Sequence, residues 1–200
     1  MLTNKLYFFC LMLFVSCSSK SPEVPDKNNE YIELSDSIAN VIQKYAMSGD
    51  TIELRKALAL SEMILRHDTI AEHRYKTCYL RSSIYELLGE QDKAFIEQEC
   101  AVSFLSPEHI DRLTFYGQKM ECNGMPDSAI WYYNHALEAC ESELVANYDN
   151  NLFAKKLQLL LYLGRRNEAQ DCMKEMMKEH RDDIFLQTLN DELLIITSSP

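Results

Sequence analysis

A chain of 200 residues with 46% hydrophobic and 26% charged side chains has the make-up of a folded domain rather than a disordered tail. Its net charge of −11 speaks against nucleic acid as a partner, because phosphate binding needs clustered Lys and Arg. The five prolines (Pro22, Pro25, Pro107, Pro126 and Pro200) fall between apolar-periodic segments or near the ends, and no stretch alternates polar with apolar long enough for a sheet. The expected class is all-α.

The first predicted element is an apolar run from Leu6 to Val15, preceded by a single basic residue, Lys5. It is far shorter than the roughly 20 residues a spanning helix needs, and it suits the core of a signal peptide. The run ends Phe14-Val15-Ser16-Cys17. That ending resembles the lipobox of bacterial lipoproteins, in which a small residue precedes the cysteine that is lipidated, although Phe14 stands where the family usually has Leu. The resemblance implies cleavage after residue 16 and acylation of Cys17, palmitate included. Ser18 rather than Asp after the cysteine implies the outer membrane. Residues 18–33 (SSKSPEVPDKNNEYIE) read as a flexible tether, and 34–200 as a helical repeat domain.

In that body, Gly49, Gly89, Gly124 and Gly164 each follow one apolar-periodic segment and precede another, at spacings of 40, 35 and 40 residues. Glycine commonly closes a helix in the left-handed conformation, so each marks the turn of a helical hairpin, and the near-constant period predicts a solenoid. The first hairpin carries Ile38, Val41, Ile42 and Tyr45 before its glycine and Ala57, Ser61 and Ile64 after it. The second carries Cys78, Ser82 and Tyr85, then Ala94 and Ala101, with Gln98 where an apolar residue is expected. The third reads Leu113, Tyr116, Gly117, Met120, Gly124, Ala129, Tyr133, Ala136. The fourth keeps Phe153, Leu160, Ala169 and Met173, with Met176 in place of the second small residue. This pattern of large and small positions resembles the tetratricopeptide repeat (TPR). The likeness spans about residues 34 to 180 and implies an α-solenoid of about four hairpins. A stretch from Asp182 to Ile196 is expected to form a C-terminal capping helix, presenting Ile184, Phe185, Leu189, Leu193 and Ile196.

No catalytic set emerges. His67, His73, His109, His135 and His180 contain no i, i+4 pair and read as exposed helix histidines. Cysteines 78, 100, 122, 140 and 172 show no Cys-x-x-Cys, so no metal site and no thioredoxin-like motif is expected. Cys78, Cys140 and Cys172 read as core residues, and Cys100 with Cys122 as the pair to watch for a disulfide. The carboxylates lie on solvated faces, and Met173, Met176 and Met177 form a stripe suited to the core or, second, to docking. No cofactor is implied.

The TPR resemblance further implies a non-enzymatic scaffold that holds a protein or peptide partner of the cell envelope in a groove lined by the first helix of each hairpin. By register, the groove positions are Lys76, Tyr79, Ser83 and Glu86; then Asp111, Thr114, Gln118 and Glu121; then Asn151, Ala154, Gln158 and Tyr162. The family branch that clamps a peptide's terminal carboxylate uses Lys and Asn, and Lys76 and Asn151 do not stand at the matching places. The alternative is an enzymatic or small-ligand-binding accessory lipoprotein of an envelope complex.

Overall fold

A computed structural model describes residues 27–198 of the chain. The signal-peptide segment, Cys17 and the tether as far as residue 26 lie outside the described residues. Among those described, there are nine helices and no strand: α1 (Lys27–Ser48), α2 (Thr51–His67), α3 (Ala71–Leu87), α4 (Gln91–Ser103), α5 (Ile110–Cys122), α6 (Pro126–Ala146), α7 (Asn150–Tyr162), α8 (Arg166–Glu179) and α9 (Ile184–Ser198). The protein is all-α. The helices divide between Ser106 and Pro107 into two compact units, α1–α4 and α5–α9.

All four turn glycines have positive φ, between 68° and 75°. Three of them close their helices in the same way. In the turn after α3, the Glu90 amide donates to the Tyr85 carbonyl (2.8 Å) and the Gly89 amide to Glu86 (2.9 Å). Met125 to Met120 with Gly124 to Glu121, and Arg165 to Leu160 with Gly164 to Leu161, repeat that pair of bonds. This is the Schellman closure, which uses a left-handed residue to satisfy the last carbonyls of a helix. Gly49 differs. Its amide returns to the Tyr45 carbonyl in a single bond (2.7 Å), and the next residue, Asp50, already caps α2 by accepting from Ile52 N.

In the first unit each helix packs on the next in sequence. Its core is Ile38, Leu54, Ala57, Ile64 and Ile84, flanked by Leu34, Val41, Ile42 and Tyr45. Residues 27–33, expected as tether, instead begin α1, because Tyr31, Leu34 and Ile38 continue one apolar stripe at helical spacing. In the second unit the same sequential packing holds, and α9 closes against α8 and α7. Tyr133, Leu157, Leu160, Met173 and Leu186 are fully buried there, each contributing roughly 1.5–3 kcal/mol of transfer free energy. The closing helix buries Leu186, Leu189 and Leu193, whereas Ile184, expected on its apolar stripe, is exposed. Ile184 is the helix's first residue, next to Asp183, whose carboxylate accepts from Leu186 N.

Gly117 is the one glycine inside a helix. A β-carbon there would lie 2.4 Å from Cε1 of Tyr133, whose ring fills the space between α5 and α6. In an open helix, Gly→Ala stabilises by roughly 0.5–1 kcal/mol. Here the sign reverses: Gly117→Ala is expected to destabilise the protein by about 1–3 kcal/mol through overpacking, read as a lower midpoint in urea unfolding followed by circular dichroism. A variant as stable as wild type would contradict this packing.

Candidate partner-binding faces

The groove positions expected from the repeat register fall in both units. In the first unit they lie along α3. Lys76 is exposed and pairs with Glu72 (2.6 Å). Tyr79 and Ser83 are half-buried, and the Ser83 hydroxyl returns to the Tyr79 carbonyl (3.4 Å). Glu86 is half-buried and accepts from Gln98 Nε2 on α4 (3.1 Å). Gln98, the apparent exception to the repeat pattern, therefore has a polar partner directly across the hairpin.

Two further arrangements in this unit escaped sequence reasoning. Arg81 sits on α3 with its side chain only 11% exposed. It is tied to Glu97 on α4 (2.7 Å), and to Glu62 (3.2 Å) and Ser61 Oγ (3.1 Å) on α2. A guanidinium so placed fastens three helices, and removing its partners would strand a buried charge. His73, expected to be exposed, is buried. Its Nδ1 lies 2.6 Å from the Asp68 carboxylate, and its ring stacks on Tyr31 at 3.7 Å. Asp68 also accepts from Ile70 N (2.8 Å), which turns the chain into α3. A short-range Asp-x₄-His spacing across a helix boundary was the available signal. The other histidines are exposed or half-buried.

In the second unit the positions on α5 and α7 meet. Asp111 is ion-paired with Lys155. Gln118 Nε2 donates to the Tyr162 hydroxyl (2.6 Å), and Gln158 Nε2 donates to the same oxygen (2.9 Å). The Tyr162 ring stacks on Tyr133 at 4.9 Å, and the Tyr133 hydroxyl donates to Glu121 (3.0 Å). Burial, and then the Glu121 carboxylate, hold the Tyr133 phenol far above its usual range, so it remains a donor. Thr114 is half-buried and bonds back to the Ile110 carbonyl (2.8 Å). Asn151 is half-buried at the start of α7. Ala154 is an exception among the groove positions: at 1% exposure it belongs to the core. Lys155, one residue on, is the side chain that completes the polar face, and register alone passed over it.

A separate concavity opens on the other side of α5. Helix geometry puts Arg112 and Tyr116 about 100° or more around the axis from Asp111 and Gln118. With Glu108, Trp131, Tyr132, His135 and Glu138 they line a cleft of about 710 Å³. Trp131, the chain's single tryptophan, is 53% exposed; His135 lies against it at 3.9 Å and Tyr132 meets it edge-on at 4.9 Å. Tyr132 also stacks on Tyr116 at 5.8 Å, and the Arg112 guanidinium lies over the Tyr116 ring.

The methionine stripe is mostly structural, with Met173 in the core and Met176 and Met177 packed beside it. Among the described residues, no group of His, Cys, Asp and Glu side chains is placed to hold a metal ion, and no helix is long and apolar enough to cross a membrane. No protein-family model matches the chain, and no curated protein matches it.

Burial raises the Glu86 carboxyl above its ordinary value of 4.5. The folded state then binds the proton more tightly than the unfolded chain, so stability falls as pH rises from 4.5 through the raised value. At neutral pH the carboxylate is a net cost. Glu86→Gln keeps the acceptor for Gln98 and removes the charge. Its thermal midpoint should exceed that of wild type at pH 7, with the gap closing below pH 4.5; a gap that is independent of pH would contradict the assigned cause.

Proposed function

We propose that this protein is a non-enzymatic interaction scaffold of the tetratricopeptide type, held by lipid on Cys17 at the bacterial outer membrane and facing the periplasm. Its body presents the first helices of successive hairpins to a protein or peptide of the envelope. The observation that carries the proposal is the second unit's α5–α7 face. Asp111, Gln118, Gln158 and Tyr162 are held in place by one another and by Lys155 and Tyr133, so the face is ordered before any partner arrives. Side chains already fixed lose little entropy on binding, and a half-buried tyrosine offers a rigid ring with a polar tip. The hairpin register supports the same reading, since the small positions Ala57, Ser82, Ala94, Gly117, Ala129 and Ala169 are all buried.

A small-ligand accessory protein is the second reading, favoured by the aromatic cleft around Trp131. Site-specific photocross-linking in cells separates the two. A photoreactive phenylalanine at Thr114 reports on the α5–α7 face, one at Trp131 on the cleft, and one at the exposed Lys174 on α8 serves as control. The scaffold reading expects a discrete protein adduct from Thr114, with Lys174 silent. Adducts from neither Thr114 nor Trp131 would sink it.

The anchor has its own test. Cys17→Ala is expected to move the protein out of the membrane fraction, or to leave it unprocessed with residues 1–16 attached. Membrane retention of that variant at the mature size would remove the lipobox reading.

A further inference from the structure

We propose that Cys78 and Cys100 are a disulfide-forming pair, oxidised by exchange with a small-molecule disulfide, and that the bond staples α3 to α4. Their Sγ atoms lie 3.1 Å apart across the hairpin. A disulfide bond of about 2.0 Å then requires an approach of roughly 1 Å, within the reach of two side-chain rotations and without separating the helices. The pair differs from the one the sequence suggested. Cys122 is exposed and belongs to the second unit, whereas Cys78 faces Cys100 directly inside the first.

The two thiols have unequal access, and that sets an order of events. Cys78 is fully buried, while Cys100 reaches solvent. Burial, and then the neighbouring Cys100, push the Cys78 thiol up, and the nearby Arg81 guanidinium opposes this. Cys100 therefore attacks first. It gives its proton to water, and its thiolate attacks one sulfur of glutathione disulfide; the reagent's S–S bond breaks and one glutathione thiolate leaves. Cys100 now carries a mixed disulfide. Cys78 then gives up its proton and attacks Cys100 Sγ, expelling the second glutathione. The protein loses two hydrogens and two electrons, and the reagent gains both as two thiols. The same reaction run backwards by a dithiol opens the staple.

The consequence falls on the face described above. Cys78 precedes Tyr79 on α3, and Ser83 and Glu86 follow within the next two turns. A covalent tie at Cys78 fixes the backbone that presents them, so oxidation sets the rigidity of this part of α3.

The test uses the full-length chain in glutathione buffers of rising disulfide content. After alkylation of free thiols and tryptic digestion without reduction, the peptide Thr77–Arg81 should be found joined to Ala94–Arg112. Half-conversion is expected at least about tenfold below the glutathione disulfide concentration that half-loads Cys122, because the second thiol is intramolecular. Cys100 carrying glutathione while Cys78 stays alkylated, or Cys100 joined to Cys122, would overturn the assignment. A second measurement addresses the staple. The oxidised protein should melt above its dithiothreitol-reduced form, and Cys100→Ser should abolish that difference. Equal midpoints for oxidised and reduced wild type, or a difference that survives in Cys100→Ser, would overturn it too.

Discussion

Within each unit, every described helix covers its apolar stripe with helices next to it in sequence, and that arrangement depends on how sharply the chain reverses. The reversal rests on residues at φ near +70°, where a side chain would be strained and glycine is not. Three of the four turns add a second carbonyl satisfied by the residue beyond the glycine. The helix end needs no side chain to cap it, and the next helix starts within two residues. With the reversal so short, the two helices of a hairpin must lie close. Small residues at the crossing become obligatory, and Gly117 shows the limit: its missing β-carbon is where the Tyr133 ring sits. Turn, small residue and facing aromatic are one constraint seen at three places.

The parts of the fold governed by that constraint were readable from sequence. Glycine position, small-residue spacing and apolar period are local signals, and Gly49, Gly89, Gly124, Gly164, Ala57, Ala101, Ala136 and Ala169 all behave as their positions imply. What escaped is non-local or polar. Lys155 was invisible because its role depends on Asp111, 44 residues earlier. His73 looked like a solvated helix residue because nothing in its own helix announces Asp68. The approach of Cys78 to Cys100 escaped for the same reason: periodicity tells which residues share a stripe, not which of two facing stripes brings sulfurs together. The start of α1 was missed because Pro22, Pro25 and the polar residues after them read as tether, while Tyr31 finds its partner, His73, only in the folded unit.

The two units solve the burial problem differently. The second is held by a continuous apolar core that runs from Ile110 through Leu160 and Met173 to Leu193. The first has a shorter apolar list and places Ser61, Asp68, His73, Thr77 and Ser82 inside. Those groups are affordable only with partners, and nearly all have one: Ser61 receives from Arg81, Asp68 binds His73 and the Ile70 amide, and Thr77 returns to the His73 carbonyl (2.7 Å). Ser82 is the exception, its hydroxyl buried without a hydrogen-bond partner among the described residues. Polar cores of this kind gain less from transfer and more from geometry, so they fix relative helix positions at the cost of tolerance to substitution. A covalent tie between α3 and α4 would act on the unit in which apolar burial contributes least.

The polar face of α5 and its aromatic face differ in what already occupies them. On the Asp111–Gln118 side, the carboxylate and amide of α5 are bonded to Lys155 and to the Tyr162 phenol of α7, and the Tyr162 oxygen also accepts from Gln158. Such a surface suits recognition by hydrogen bonds with little rearrangement. On the Tyr116–Trp131 side the rings are stacked on one another, yet more than half of the indole is open to water. An exposed indole beside two carboxylates and a guanidinium gains by covering apolar area, and it does so without needing a defined set of donors. A single helix thus carries one face whose polar groups are already hydrogen-bonded and one whose rings are open to water. A peptide engaging the first would be read by its polar groups, whereas anything settling on the second would be held by the area of ring it covers.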